Sequence, residues 1–403
     1  MGIVIFAIAF NLFWKRIKQE KGKTVLMLLG ALGFYIIFSI ILNIYLESVY
    51  HWKYGVPGAD LSIHFEGAKA IVNGMPIYKL SRISTRYIIS INNFGYIAYA
   101  YMIAFVVFMP TIISVQFSLQ LLYVIQAIVA ICAMLNIADF FVKSNKKNRN
   151  ILCIILLSCT AVLQMSAVLM RDIWIVFFIS LLMKNVQKHK VNHIFCSILI
   201  LLSTLLRIYS LLITVPIYIA YALKKEKTAV ITSISFLGIF FVSQPLIDYF
   251  AKIFFVFWEY SYNFDIVEMV KYIFFPNIVS QSYNVMHMKN TYHAIFGGNT
   301  EWIYFMLSCW NVYIMPLAIL GGVQCIRKKQ FKQIGLWGVI FINIAMLYGV
   351  FYGSVSEPRH KLMIIYPLAF LVSVGIEEMS QRRRVLYFIF VTLIILLIFA
   401  LAS

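Results

Sequence analysis

The chain has 403 residues, 62% of them hydrophobic and 12% charged, with 34 Lys and Arg against 15 Asp and Glu and a mean hydropathy of +0.88. Its apolar runs are continuous rather than alternating, which excludes a soluble domain and an outer-membrane barrel and implies an all-α, polytopic membrane protein. The formal charge of +19 does not mark a nucleic-acid binder, because most of the Lys and Arg fall in six short clusters between apolar runs: Lys15–Lys23, Lys143–Arg149, Lys184–Lys190, Lys224–Lys227, Arg327–Lys332 and Arg382–Arg384.

Placing all six clusters on the cytoplasmic side predicts about twelve transmembrane helices in a single integral membrane domain, 1–403, with attraction to the lipid bilayer as a by-product. Residues 1–14 run inward. They are followed by Lys15-Arg16 rather than a small-residue cleavage site, so no cleavable signal peptide is expected. Residues 24–46 run outward, which makes 47–93 a long external loop. Residues 94–113 are apolar enough to span, yet a crossing there would invert the next basic cluster. They are therefore expected as a helix lying in, or dipping into, the outer leaflet and ended by Pro110. Residues 115–142 return inward, 150–169 go out and 173–187 come in.

The stretch 192–223 must be a hairpin of two short helices turning near Arg207, because the basic clusters on either side of it both belong inside. Residues 228–247 lead out to a second external loop, 248–301. Its aromatics, Phe254, Phe255, Phe257, Trp258 and Tyr260 among them, form either an interfacial belt or the wall of a lipid or acceptor groove. Residues 302–325, 333–352, 361–379 and 385–402 complete the thread. The six cysteines all lie in apolar segments without metal-site or loop-disulfide spacing, and are expected as packing residues.

On this thread the acidic residues gather outside. Asp60, His64 and Ala68 recur every four residues, so a short helix over 60–72 puts them on one face and turns Glu66 elsewhere, with Gly58 and Gly74 as its punctuation. Asp60 is either a helix N-cap or a catalytic carboxylate; His64 reads first as a contact or packing residue and Glu66 as part of a solvated face. Arg171-Asp172 form a tight external turn, either a helix-end ion pair or an acidic group facing the same cavity as Asp60. Arg207 stands alone among Leu and Ile at a membrane hairpin, a position that requires a structural partner such as Asp172 or a bound phosphate. The last external turn, Glu357-Pro358-Arg359-His360-Lys361, concentrates groups that neutralise a phosphate or pyrophosphate, with Arg359 offering a bidentate fork.

In this order the motifs resemble the GT-C superfamily of polyprenyl-phosphate-dependent glycosyltransferases. That family carries an Asp in a long first external loop, in a pattern like D-x3-Y-x3-A followed by G-x-x-x-Y. Here it reads Asp60-x3-His64-x3-Ala68 and then Gly74-Met75-Pro76-Ile77-Tyr78, with His in the Tyr slot. Asp172 matches the family's second acidic loop residue, and Glu357-Pro358-Arg359-His360 with Pro367 matches its late E-x-R motif. Asp60 is flanked by Ala59 and Leu61-Ser62 instead of the Asp-Glu or Asp-x-Asp form of some members, so a divalent metal is not supported.

The resemblance implies an inverting transfer from a polyprenyl-phosphate-linked sugar donor to an envelope glycan or glycolipid acceptor, on the extracytoplasmic face of the cytoplasmic membrane. Asp60 is the implied base and Asp172 its helper. His64, Glu66, Tyr78, Arg171, Arg207, Glu357, Arg359, His360 and Lys361 are the implied substrate contacts. The Arg171-Asp172 turn and Arg207 are equally similar to Wzy-like polysaccharide polymerases, which act on undecaprenyl-linked repeat units. A lipid-linked-oligosaccharide flippase fits less well, because the charges collect at the outer face rather than at midplane and no inverted halves are visible.

Overall fold

The computed structural model describes residues 2–50, 60–84, 87, 94–108, 114–143, 145–236, 238, 310–351 and 362–402. The described residues are helical, with no strand among them. The organising element is α5 (Val115–Phe141), entered through an N-cap at Ser114, whose side chain accepts from the Phe117 amide at 3.2 Å. It is apolar on every face, as a central helix should be, and 83% of its span is buried. Around it pack α1 (Gly2–Lys18), α2 (Lys23–Tyr50), α6 (Lys146–Leu157), α7 (Thr160–Ala167) and α8 (Asp172–Val186). α2 is equally apolar but only 22% buried. Leu26, Phe34, Ile37 and Ile44 face outward, and apolar surface on that scale calls for cover from lipid or from another protein surface.

Three described helical stretches are long and apolar enough to cross a membrane: Lys23–Ile44, Phe117–Phe141 and Phe331–Tyr348. The span expected over 150–169 is not straight. It breaks at Ser158-Cys159 into α6 and α7, bent by 59°, and as a pair these form a fourth candidate. The freed carbonyls at the break find side-chain donors: the Tyr35 hydroxyl donates to Leu157 O at 2.8 Å, and Trp310 Nε1 donates to Ile155 O at 2.9 Å. Such a break inside an apolar body is tolerable only with this substitution.

The helix expected to lie in the outer leaflet is α4 (Phe94–Ile103), continued by a π-helical turn, Ala104–Phe108. Tyr96, Tyr99, Ala100, Ile103, Ala104 and Val107 are buried, and α4 packs on α3 (Asp60–Val72) and α9 (His193–Leu206), while its π turn packs on α5. Its apolar character serves protein packing. The segment 192–223 follows expectation in its division: α9 ends at Arg207, which is extended (φ −159°, ψ 115°), and a short 3-10 turn leads to α10 (Leu211–Ile217).

The C-terminal helices are α11 (Trp310–Arg327), α12 (Phe331–Ala345) with a π turn at Met346–Phe351, α13 (Ile365–Glu378) and α14 (Gln381–Ala402). α11 and α13 cross at glycine: a Cβ on Gly321 would overlap Leu371 O, and one on Gly375 would overlap Leu317 O. Close backbone approach at small residues is the usual way helices gain contact where lipid supplies no hydrophobic drive.

One end of the bundle gathers the basic clusters. Arg149 grips Glu20 with a bidentate pair of bonds, 2.9 and 2.7 Å, and reaches Asp139 at 3.3 Å. Arg16 pairs with the same Asp139, and Lys146 lies 3.1 Å from Glu20. Gln187 donates to Phe140 O, Phe140 meets Tyr221 edge to face, Lys332 lies near Glu226, and Lys328 pairs with Glu378, shortly before the Arg382–Arg384 cluster. Ion pairs and ring contacts thus draw segments from across the sequence to that end.

Candidate functional site

The start of α8 carries a second, separate polar assembly, which meets α5 near its middle, at Gln126. α7 stops at Val168, whose backbone is extended, and the Met170 amide bonds back to Val168 O at 2.8 Å. The tight turn delivers Arg171 to the cap position of α8 and Asp172 to its first turn, where a carboxylate is favoured by the helix dipole. From Asp172 to Lys184, in the last turn of α8, is about 18 Å at the α-helical rise. Asp172 is 1% exposed.

Arg207 meets it from α9. Where that helix ends, the side chain extends so that Nη1 lies 3.0 Å from Asp172 Oδ1 and donates to the Tyr348 hydroxyl at 3.2 Å. Tyr348 sits on the π turn after α12. Arg171 turns the other way: its guanidinium lies 4.0 Å from the centre of the Tyr96 ring, a cation–π contact strengthened by burial. Tyr96 stacks on His64 at 5.1 Å and 23°, and His64 meets Tyr99 edge-on at 4.8 Å. Gly95 makes this approach feasible, because a Cβ there would overlap both Leu206 O and the Arg171 guanidinium.

His64 is carried by α3, the helix expected over 60–72. Asp60 is its first residue and lies one turn from His64; its side chain is outside the described ones. The helix ends as its sequence implies. Gly74 has φ +79°, the Gly74 amide bonds to Ile71 O and the Met75 amide to Ala70 O, which is a Schellman closure. His64 and Ala68 are buried on the shared face. Glu66 is half-buried on another face, and among the described residues it forms no ion pair. Tyr78 is 68% exposed, on a 3-10 turn with Lys79 over its ring, and does not join the assembly. Glu357, Arg359, His360 and Lys361, and the aromatic loop 248–301, lie outside the described residues.

The assembly also contains residues that sequence reasoning passed over: Tyr96, Tyr99, Gln126 and Tyr348. Tyr96 and Tyr99 are three apart on one helix face, and Gln126 is an amide in an otherwise apolar stretch of α5, a signal available in the sequence. Nothing local marked Tyr348.

An apolar cleft of about 150 Å³ lies between α4, α8 and α9. Tyr99, Met102, Trp174, Phe178, Leu202 and Leu206 are among its walls. Leu206 precedes Arg207 and Trp174 follows Arg171 by three, so the cleft and the charges share the same turns of helix. Among the described residues no three His, Cys, Asp or Glu side chains gather to hold a metal ion. Cys153, Cys159, Cys196 and Cys325 are buried.

Comparison of the chain with protein-family models, with curated proteins and with solved structures gives no match in any of the three.

Proposed function

We propose that this chain is a multi-pass enzyme of the cytoplasmic membrane, a glycosyltransferase that moves a sugar from a polyprenyl-phosphate donor to an envelope glycan or glycolipid on the extracytoplasmic side. The observation that carries the reading is the Arg171–Asp172–Arg207 assembly: two guanidiniums and a carboxylate, with Arg171 and Asp172 buried and Arg207 half-buried, on the same helices as an apolar cleft and remote from the basic end of the bundle. A lipid phosphate needs those two surroundings side by side, cationic donors for its head and an apolar wall for its chain. On this reading the basic clusters face the cytoplasm, about twelve spans thread the membrane, and the Arg171–Asp172 turn faces out.

The chemistry is a single inverting displacement. The acceptor hydroxyl oxygen attacks the anomeric carbon, the bond from that carbon to the phosphate oxygen breaks, and the lipid phosphate leaves with the electron pair. Asp60 takes the hydroxyl proton as general base. The ion pair to Arg207 suits Asp172 to holding that guanidinium in place rather than to accepting the proton. Arg171 and Arg207 stabilise charge growing on the leaving phosphate. The test is transfer of labelled sugar by purified protein in nanodiscs. Asp60→Asn and Asp60→Ala, expressed at normal level, are expected to lose it; full activity in both removes Asp60 from the chemistry.

A second reading, a polymerase of lipid-linked repeat units, is favoured by the position of Arg171 and Arg207 at the heart of the assembly. A product ladder rather than a single added sugar decides for it.

A further inference from the structure

The turn carrying Arg171-Asp172 is held from behind by one side chain. Gln126 is fully buried on α5, and its amide is used on both sides. Nε2 donates to Val168 O at 2.8 Å and Ser166 O at 3.1 Å, with Met165 O at 3.4 Å, while Oε1 accepts from the Tyr99 hydroxyl at 2.8 Å. The three carbonyls belong to the end of α7, where no further helical turn exists to take them, and Val168 O also accepts from the Met170 amide at 2.8 Å. Ala167 O is taken separately by Asn43 Nδ2 at 3.1 Å.

The two ends of the Gln126 amide therefore touch different parts of the site. One fixes the backbone three to six residues before Arg171, and through that turn the start of α8. The other fixes Tyr99, which meets His64 edge-on, and the same imidazole stacks on Tyr96, the ring that Arg171 covers. A planar amide couples these separations rigidly, since moving the α7 end alone or Tyr99 alone breaks bonds on one side of it.

We propose that Gln126 is a positioning residue for the candidate site: it registers the Arg171–Asp172 turn against the α3–α4 side that carries Asp60 and His64. The inference rests on the functional reading above for its catalytic consequence, but not for its structural one. Asn43 is the internal control, because it caps the same helix end without touching Tyr99.

Hydrogen exchange of the full-length protein in nanodiscs tests the structural part. Gln126→Leu keeps the volume and removes every bond, so amides of 168–176 and of 95–103 are both expected to exchange about tenfold faster, for a loss equivalent to one to two hydrogen bonds. Asn43→Leu is expected to speed only 165–170. Tyr99→Phe removes a single bond and is expected to speed 95–103 with a smaller effect on 168–176. Unchanged exchange at 168–176 in Gln126→Leu, or the same pattern in Asn43→Leu, overturns the proposal. Where Gln126→Leu does not accumulate, Gln126→Glu, which loses the donors, and Tyr99→Phe carry the same comparison.

In the transfer assay Gln126→Leu is expected to lower kcat about 100-fold, the scale of an ångström-sized misplacement, with KM within about threefold. A raised KM with unchanged kcat contradicts positioning. Wild-type protein without transfer activity overturns the functional reading alone, and the exchange comparison still decides the role of Gln126.

Discussion

Removing Arg207 while leaving Asp172 strands a carboxylate that is 1% exposed in an apolar surround. At 3.0 Å and an effective dielectric of about 20, the lost attraction is about 5 kcal/mol. The desolvation already spent on Asp172 is not recovered, so Arg207→Met is expected to cost about 3–5 kcal/mol of stability. Asp172→Asn is expected to cost a similar amount, because the Arg207 side chain is itself only 10% exposed.

The double variant Asp172→Asn/Arg207→Met removes both charges and should recover most of the loss, since a buried pair stabilises little relative to a neutral, well-packed replacement. Denaturant unfolding in mixed micelles, followed by tryptophan fluorescence, measures the four corners of this cycle. A coupling energy of at least about 2 kcal/mol is expected. Additive single costs, with coupling under about 0.5 kcal/mol, would show that the ion pair is not made in the folded protein. The double variant also separates stability from chemistry: it should fold as well as the parent and still transfer no sugar. Retained transfer there would leave the pair a purely structural role.

Three other expectations follow from local contacts. Gly95→Ala places a methyl group where Leu206 O and the Arg171 guanidinium stand, so it should cost about 1–3 kcal/mol and impair transfer, measured by the same unfolding and label assays. Gly375→Leu should separate α11 from α13 and reduce accumulation of folded protein, read as loss of a monodisperse chromatographic peak, while Gly338→Ala on α12, with open space at its Cβ, should not. Burial alone would raise the Glu20 carboxyl, but its hydrogen bonds to Arg149 and Lys146 outweigh that and hold it below its ordinary value. Its stabilisation is then complete above the unfolded pKa of about 4.3 and lost as pH falls below that through the depressed native value. The wild-type melting temperature should drop more steeply below about pH 4 than that of Glu20→Gln, and parallel curves would refute the linkage.

Much of the helix layout was legible because its signals are local. Ser114 and Asn192 cap helices through their own side chains, and Gly74 supplies the positive φ that closes α3. Arg207 divides 192–223 where its charge interrupts the apolar run. The bend at Ser158-Cys159 was not legible, because it depends on Tyr35 and Trp310, distant in sequence, reaching the freed carbonyls. That α4 packs against α3 and α9 was not legible for a related reason. Hydropathy reports that a face avoids water and cannot tell lipid from protein.

The same division runs through the site. Composition and continuous apolar runs imply a helical chain with stretches apolar enough to cross a membrane, and residue type alone flags Asp60, Asp172 and Arg207 as costly in an apolar body. Tertiary structure decides that Asp172 pairs with Arg207, that Arg171 turns to Tyr96, and that Tyr78 stays outside the assembly. Charge and hydropathy are properties of single residues and short windows. Which side chains share a buried end depends on how helices far apart in sequence pack, and that information is absent from any window.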